Sequence, residues 1–241
     1  MKITLAHPMQ SYSAKYSIAN KKENNNNYQK NYLQTPTNYP ISFLGIKKIS
    51  KKEVNDLINN LIKENIHYEL IGTPNSVSVI EFRNIKRLAK KTTFFFNDKK
   101  EEIVYKYDGE TPHLKYKYQK NKITALIKYG NYGEKTHKET FYENGQRASH
   151  TVYHGVASLP TFKFFYQQDG KTLKAETKFH ANSRIPKIIK EFFPNGKIAN
   201  ETLIDESGFI TSKTKYNKKG EPIMISEFSK TGNFIPLSSN L

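Results

Sequence analysis

Cysteine and tryptophan are absent from this chain of 241 residues, and only four of its 39 lysine and arginine residues are arginine. The absence of cysteine excludes disulfide bridges and thiolate-bound metals. No run of 18 apolar residues occurs, so the sequence predicts no membrane-spanning helix. The apolar stretch at residues 3–6 is too short for the core of a secretory signal. We therefore expect a cytoplasmic protein, with non-classical secretion as the alternative.

Motifs for catalysis are also lacking. The sequence has no nucleophile-elbow motif, no phosphate-cradling glycine loop and no nucleophile–histidine–carboxylate set. His150 and His154 are the one close histidine pair, but four residues of a strand span roughly 13 Å, too far for one metal ion. A catalytic site would need polar residues that break the repeat pattern, and only residues 150–160 do so. The sequence thus predicts a non-catalytic protein with no cofactor and no metal site.

Glycine is scarce, with 12 residues, but its placement is periodic. From about residue 82 onward, turn-forming residues recur at steps of 12 or 13 residues. The glycines that define this phase are Gly109, Gly133, Gly145, Gly170, Gly196, Gly208, Gly220 and Gly232. Asn121 and Ser183 occupy two intermediate positions, and the unit near Gly155 has a degenerate turn. A fixed short period of this kind is the signature of a repeat architecture.

Each repeat unit combines an aromatic residue, a turn pair and an alternating strand. Pairs such as Asn144-Gly145 favour type I′ turns, in which both central residues have positive φ. In residues 114–118, Leu and Tyr side chains alternate with Lys115 and Lys117, which places the two kinds of side chain on opposite faces. The sequence therefore predicts a mainly β fold, an elongated antiparallel meander of strand–turn units of about 12 residues.

The N-terminal part of the chain differs from the repeats. Residues 1–47 are rich in asparagine and tyrosine and predict a disordered leader. Residues 50–66 predict an amphipathic helix, because Ser50 and Glu53 form a capping box ahead of an apolar stripe. The predicted organisation is a leader (1–47), a cap of helix plus first strand (48–81), a repeat domain (82–235) and a tail (236–241). We expect the helix to cover the end of the repeat sheet, and a partner-binding helix is the alternative.

Aromatic residues recur just before the turns. The positions concerned are Tyr107, Tyr129, Tyr142, Tyr153, Tyr166, Phe193, Tyr216 and Phe228. They predict a cross-strand ladder of rings that holds the sheet together. The alternative is that part of the ladder lines a groove for a peptide, a carbohydrate or single-stranded nucleic acid. The residues of the candidate binding face are Tyr116, Tyr142, Tyr166, Tyr216, Lys115, Lys117, Lys213 and Lys215.

The formal net charge of +17 indicates a possible attraction to nucleic acid or anionic lipid. The charge comes mostly from lysine, whereas specific recognition of bases relies more on arginine. Lysine, asparagine and isoleucine are abundant together, which is also typical of AT-rich codon usage. The charge alone therefore leaves electrostatic binding and a compositional origin as alternatives.

Several turn phrases resemble one known family. The phrases are FYENGQ, FFYQQDGKTLK, FFPNGKI and YNKKGEP, which begin at Phe141, Phe164, Phe192 and Tyr216. They resemble the variant MORN repeats of YwqK-type antitoxin-like bacterial proteins, over residues 82–235. A weaker resemblance, carried by Tyr107-Asp108-Gly109, is to the YD repeats of Rhs-type shells, although the usual arginine after the glycine is missing.

The MORN resemblance implies a twisted antiparallel sheet built of hairpins. It also implies binding to a protein partner, such as a cognate toxin, or to membrane phospholipid. We therefore expect a non-catalytic scaffold that binds a protein partner through the repeat sheet. Electrostatic binding of anionic membrane phospholipid or nucleic acid through a lysine-rich face is the alternative, and no small-molecule substrate is expected.

Overall fold

The computed structural model of the chain divides into two units, residues 1–110 and residues 111–241. The structure describes residues 51–73, 75–83, 87–95 and 98–228, together with the backbone of 14–18 and 234–235. In both units, strands that are consecutive in sequence are hydrogen-bonded neighbours and run antiparallel. The predicted mainly β antiparallel meander with one N-terminal helix is confirmed.

The first unit contains one helix and the first five strands. Its elements are β1 (Ala14–Ile18), α1 (Lys51–Lys63), β2 (His67–Thr73), β3 (Ser76–Phe82), β4 (Leu88–Phe95) and β5 (Lys99–Tyr105). Strand β1 pairs with β2. The predicted leader lies outside the described residues except for this strand, and so does Ser50, the predicted helix cap.

The helix ends earlier than the predicted residue 66. Asn65 adopts a left-handed conformation with φ of 55°, and the amide of Ile66 donates to the carbonyl of Leu61 at 2.9 Å. This pattern of hydrogen bonds closes the C-terminus of a helix, and asparagine tolerates the left-handed position. The chain then turns directly into β2, a strand that the sequence did not predict.

The apolar stripe of α1 packs on the sheet of the first unit. Val54 and Leu61 are buried with Tyr68, Val79 and Phe94 in one cluster. The first unit therefore has a true core, formed by the helix and strands β2 to β4. The sequence predicts that the helix covers the end of the repeat sheet; in the first unit the helix packs on strands β2 to β4.

Strand β3, which the sequence predicts as the first strand, is buried on both faces. Val77 and Val79 face the helix, but Ser76, Ser78 and Ile80 on the other face are buried as well. The hydroxyl groups of Ser78 and Thr93 satisfy each other across the strands at 2.9 Å. Strand β3 is thus a central strand of the first unit.

The second unit is built of hairpins. Its strands are β6 (Pro112–Gln119), β7 (Lys122–Tyr129), β8 (Lys135–Phe141), β9 (Arg147–His154), β10 (Leu159–Tyr166), β11 (Leu173–Phe179), β12 (Pro186–Phe192), β13 (Ile198–Ile204), β14 (Ile210–Tyr216), β15 (Pro222–Phe228) and β16 (Phe234–Ile235). The predicted turn at Gly232 and the tail from 236 lie outside the described residues.

The predicted turn positions are confirmed in the second unit, but the turn type is wrong. Gly145 has a positive φ of 82°, whereas Asn144 does not. The amide of Gly145 donates to the carbonyl of Tyr142, and the amide of Tyr142 donates to Gln146. These bonds define a three-residue loop with a type I turn and a glycine bulge. A two-residue turn with positive φ at both central residues occurs instead at Lys120 and Asn121.

Successive turns lie at opposite ends of the strands, and we call the two rows of turns the two edges of the second unit. Turns about 24 residues apart are therefore neighbours on the same edge. The hydroxyl of Tyr142 donates to the carbonyl of Tyr166 at 2.6 Å, and Asn144 donates through Nδ2 to the carbonyl of Gln168 at 3.0 Å. Further along the same edge, Asn195 Nδ2 donates to the carbonyl of Lys218 at 3.0 Å. These bonds link one hairpin turn to the next.

The opposite edge of the second unit has similar links. The amide of Lys135 donates to the hydroxyl oxygen of Ser158 at 2.8 Å. The Nε2 atom of His180 hydrogen-bonds to the carbonyl of Ile204 at 2.8 Å. Both edges are therefore stabilised by contacts between turns, in addition to the strand ladder.

Candidate binding faces of the second unit

The strand register divides the side chains of the second unit between two faces. We call one the lysine face and define it by Lys115, Lys117, Lys138, Lys163, Lys213 and Lys215. We call the other the aromatic face and define it by Tyr116, His137, His150, Phe162, Phe164, Tyr166 and Tyr216. The two faces differ in charge and in the size of their side chains.

A row of lysines crosses the lysine face at right angles to the strands. Lys115 pairs with Ile127, which pairs with Lys138. Lys138 pairs with Thr151, which pairs with Lys163. A lysine therefore stands on β6, β8 and β10, once per hairpin. The row continues through uncharged side chains to Lys213 on β14.

Buried side chains, most of them small, lie between these lysines, and we call them the floor of the lysine face. Ala125, Ile127, Ser149 and Thr151 are each less than 8% exposed, although no second layer of described residues covers this face. The hydroxyl groups of Thr140 and Ser149 bond to each other at 2.7 Å. The floor is thus buried by its taller neighbours, and the lysine stems rise above it.

Carboxylates are few in the two lysine rows of this face. From β6 to β15, the row of Lys138 and the parallel row of Lys117 contain six lysines and one carboxylate, that of Glu191. Asn200 donates a hydrogen bond to Glu191 at 2.7 Å. Within the described part of the chain, no carboxylate forms an ion pair with Lys138 or Lys163.

The electrostatic environment of Lys138 reflects this imbalance. Partial burial lowers the pKa of Lys138, and the neighbouring charges of Lys117, Lys163 and Lys135 lower the pKa further. Lys163 places its Nζ atom 4.4 Å from the ring centroid of Phe165. A ligand with negative charge would relieve the repulsion among these ammonium groups.

The aromatic face contains two ion pairs among the described residues. Arg147 forms an ion pair with Glu139 at 3.4 Å, and Lys190 forms one with Glu201 at 3.4 Å. Phe162 and Phe164 lie with ring centroids 6.1 Å apart on the same strand. This face therefore combines rings with internally balanced charge.

His137 and His150 stack across neighbouring strands of the aromatic face. Their ring centroids are 5.4 Å apart with an interplanar angle of 16°, and Phe164 lies 6.1 Å from His150 on the other side. Burial lowers the pKa of His150, Glu139 raises it, and the charges of His137, Arg147 and Lys128 lower it further. The Nε2 atom of His150 is buried and has no hydrogen-bond partner among the described residues.

The histidine arrangement differs from the one that sequence spacing suggests. His150 and His154 are close in sequence, but His137 is the ring that contacts His150 across the sheet. Only the strand register reveals this pair. Among the described residues, no three histidine, aspartate or glutamate side chains form a cluster able to hold a metal ion.

The predicted binding-face residues do not form one surface. The lysine face carries Lys115, Lys117, Lys213 and Lys215, and the aromatic face carries Tyr116, Tyr166 and Tyr216. Tyr142 lies in a turn at the edge. The sequence analysis missed Lys138 and Lys163. Their signal is the spacing from Lys115, because the three lysines lie 23 and 25 residues apart.

The predicted ladder residues make contacts other than stacking at two positions. Tyr142 contacts Tyr166 through its hydroxyl group. In the first unit, the ring of Tyr107 is 73% exposed and lies under the guanidinium groups of Arg83 and Arg87, at 5.7 and 5.0 Å from its centroid. The hydrogen bond and the cation–π contacts stabilise the turn regions.

Comparisons with known proteins add little to this description. No family model and no curated protein matches the sequence. Among solved structures, the chain is similar to a TarM mutant of S. aureus in complex with fondaparinux, alpha-GlcNAc-glycerol and UDP, with 12% identity and a TM-score of 0.22. It is also similar to TarM itself, with 13% identity and a TM-score of 0.23. The matches cover 60% and 66% of this chain but only 23% and 25% of those chains.

Proposed function

We propose that the protein is a non-catalytic repeat scaffold whose lysine face binds an acidic protein partner. The observation that carries this proposal is the row of lysines on β6, β8 and β10, with Lys138 and Lys163 lacking a carboxylate partner among the described residues. Electrostatic complementarity steers association and favours partners of opposite charge. The variant MORN resemblance implies either a protein partner or membrane phospholipid, and a protein partner is the one of these two that agrees with this proposal.

The lysine face carries fewer aromatic rings than the opposite face, although Phe165 lies beside Lys163, and this argues against single-stranded nucleic acid as the partner. Proteins that bind single strands combine a basic groove with rings on which the bases stack. Here Tyr116 and Tyr166 lie on the face opposite to Lys115 and Lys163. The backbone positions of successive lysines on β6, β8 and β10 are also about 9.6 Å apart. In duplex DNA each strand carries one phosphate per about 3.4 Å of helix axis, so the lysine spacing does not provide one lysine for each phosphate.

The floor of the lysine face argues against membrane binding. Stable binding to a bilayer surface combines basic residues with large apolar side chains that enter the lipid. From β6 to β11, alanine, serine and threonine occupy most of the floor, Ile127 is buried, and Phe165 is the one large apolar side chain of the two lysine rows there that is partly exposed. No helix among the described residues has the length and apolar character needed to cross a membrane. The cytoplasmic location stays a prediction from the sequence.

A binding assay with three probes tests the proposal. The full chain, treated with nuclease and immobilised, would be exposed to poly-L-glutamate, to RNA and to vesicles that contain phosphatidylserine. We expect retention of poly-L-glutamate and loss of that retention in a Lys138→Gln, Lys163→Gln double variant. Retention of RNA or vesicles without poly-L-glutamate would overturn the proposal.

A matched control separates a specific surface from net charge. Lys128 and Lys178 are exposed and lie in one row of the aromatic face, so a double change to glutamine removes the same charge from the opposite side. We expect this control to bind poly-L-glutamate like the unchanged chain. Equal losses in the two double variants would show that net charge alone is responsible, which also contradicts the proposal.

A further inference from the structure

The lysine row has a fixed spacing, because it follows the strands and not a flexible loop. Lys115, Lys138 and Lys163 are linked through direct partners, with one intervening strand between each pair. Neighbouring strands lie about 4.8 Å apart, so successive lysines of the row start about 9.6 Å apart. The repeat therefore sets a regular distance between the backbone positions from which the lysine side chains start.

This distance fits one backbone conformation of a peptide better than others. A polyproline II helix has three residues per turn and a rise of about 3.1 Å per residue, so every third side chain points the same way at about 9.3 Å. In an extended strand, side chains on one side recur at about 6.7 or 13 Å. In an α-helix, residues seven apart share a side at about 10.5 Å, which accumulates an error of about 1 Å per step.

We propose that the lysine face binds an extended acidic segment of the partner in polyproline II conformation, with Asp or Glu at every third position. The segment runs across β6 to β10, perpendicular to the strands, and its carboxylates meet Lys115, Lys138 and Lys163. This inference rests on the proposed function, since it names the chemistry that the acidic partner presents.

The floor of the face suits such a ligand. Thr140 and Ser149 share a hydrogen bond, so neither hydroxyl group is without a partner before the ligand binds. Ala125, Ser149 and Thr151 are short, which leaves the space above them to the lysine stems and the bound backbone. Lys138 is the central lysine of the row and the one whose neighbours include both Lys117 and Lys163. It should contribute most to binding.

Four synthetic peptides of equal charge test the spacing. In one, glutamate occupies every third position, with proline and serine between. Two others have the same composition, with the glutamates contiguous or at every second position. The fourth has the same number of glutamates, at every seventh position of an alanine-rich helix. Isothermal titration calorimetry on the full chain at physiological salt should give the every-third peptide an affinity about tenfold higher than each of the others.

Variants of the central lysine locate the contact. Lys138→Gln should abolish the preference for the every-third peptide, Lys138→Arg should keep it, and Lys128→Gln on the aromatic face should leave it unchanged. Circular dichroism and the melting temperature would verify that each variant is folded. A preference that survives Lys138→Gln would overturn the proposed contact.

The outcomes distinguish this inference from the proposed function. If all four peptides bind equally and poly-L-glutamate is retained, the spacing is wrong but the acidic partner stands. If poly-L-glutamate is not retained at all, the proposed function itself fails. A preference for the seventh-position peptide would overturn the extended conformation in favour of a helical ligand.

Discussion

The side chain of Tyr142 reaches the backbone of Tyr166, 24 residues further along the chain, where its hydroxyl group donates to the carbonyl oxygen at 2.6 Å. Both residues precede turns at the same edge of the second unit. The bond therefore joins two hairpins at a place where the strand ladder has ended. An aromatic residue before a turn serves here as a hydrogen-bond donor to the next turn.

Removal of the Tyr142 hydroxyl should weaken the second unit. We expect Tyr142→Phe to lower the free energy of unfolding by about 1 kcal/mol, since only the hydrogen bond is lost. Tyr142→Ala also removes the half-buried ring and should cost about 2–4 kcal/mol. Urea denaturation would measure both changes. Tyr132 is 86% exposed, so Tyr132→Phe is the control without effect, and a Tyr142→Phe variant as stable as this control would refute the role of the bond.

Two turn glycines should differ in their tolerance of alanine. Gly145 and Gly170 have φ of 82° and 70°, so alanine is strained at both by about 1–2 kcal/mol. A Cβ at Gly145 meets no atom within 4 Å, whereas one at Gly170 would lie 2.9 Å from the backbone nitrogen of Arg147 and from Oε1 of Gln146. Gly170→Ala should therefore cost about 1–3 kcal/mol more than Gly145→Ala in thermal denaturation. Equal costs would show that the neighbouring turn moves aside freely.

The helix of the first unit should depend on one stripe of its surface. Leu61 is 3% exposed and packs in the core, whereas the adjacent Ile62 is 41% exposed. We expect Leu61→Ala to cost about 2–5 kcal/mol. Ile62→Ala should change stability by less than about 1 kcal/mol. Amide hydrogen exchange of β2 to β4 would follow the effect in this unit, and unchanged protection in Leu61→Ala would contradict the role of α1 as part of the core.

Acid should destabilise the second unit through His150. Burial holds the pKa of His150 below its usual value near 6.5, so the unfolded chain takes up a proton at a higher pH than the folded chain. The free energy of unfolding therefore falls as the pH drops through 6.5 towards the folded-state pKa. Denaturation at pH 7.5, 6.5 and 5.5 should show a smaller fall in His150→Gln than in the unchanged chain. Parallel curves would place the acid sensitivity in other groups.

The fold class followed from the sequence because its signals are local. Turn glycines in phase, such as Gly196, Gly208 and Gly220, mark the strand ends without any knowledge of tertiary contacts. The type of turn did not follow, because the pair Asn144-Gly145 suits two kinds of loop and the choice depends on how the flanking strands pair. Strand β2 was missed because the strand begins directly after the left-handed Asn65 that closes the helix.

The sequence predicted the residues of the two binding faces less completely than it predicted the fold class. The alternation of Lys115 with Tyr116 showed that lysine and tyrosine lie on opposite sides, but the residues that share a row are set by strand register. Register shifts occur at bulges, for example between Thr140 and Phe141. For this reason the pairing of Lys138 with Thr151 and the stacking of His137 on His150 became visible only in the structure.

The alternation of turns between two edges constrains how such a chain can change its length in evolution. A duplication or loss of one hairpin, about 24 residues, preserves strand direction, the edge of every turn and the lysine row. A loss of only one strand with its turn would move every later turn to the opposite edge and would separate partners such as Tyr142 and Tyr166. Homologous chains should therefore differ in length by whole hairpins, and the row that contains the lysines should lengthen or shorten by two strands at each step.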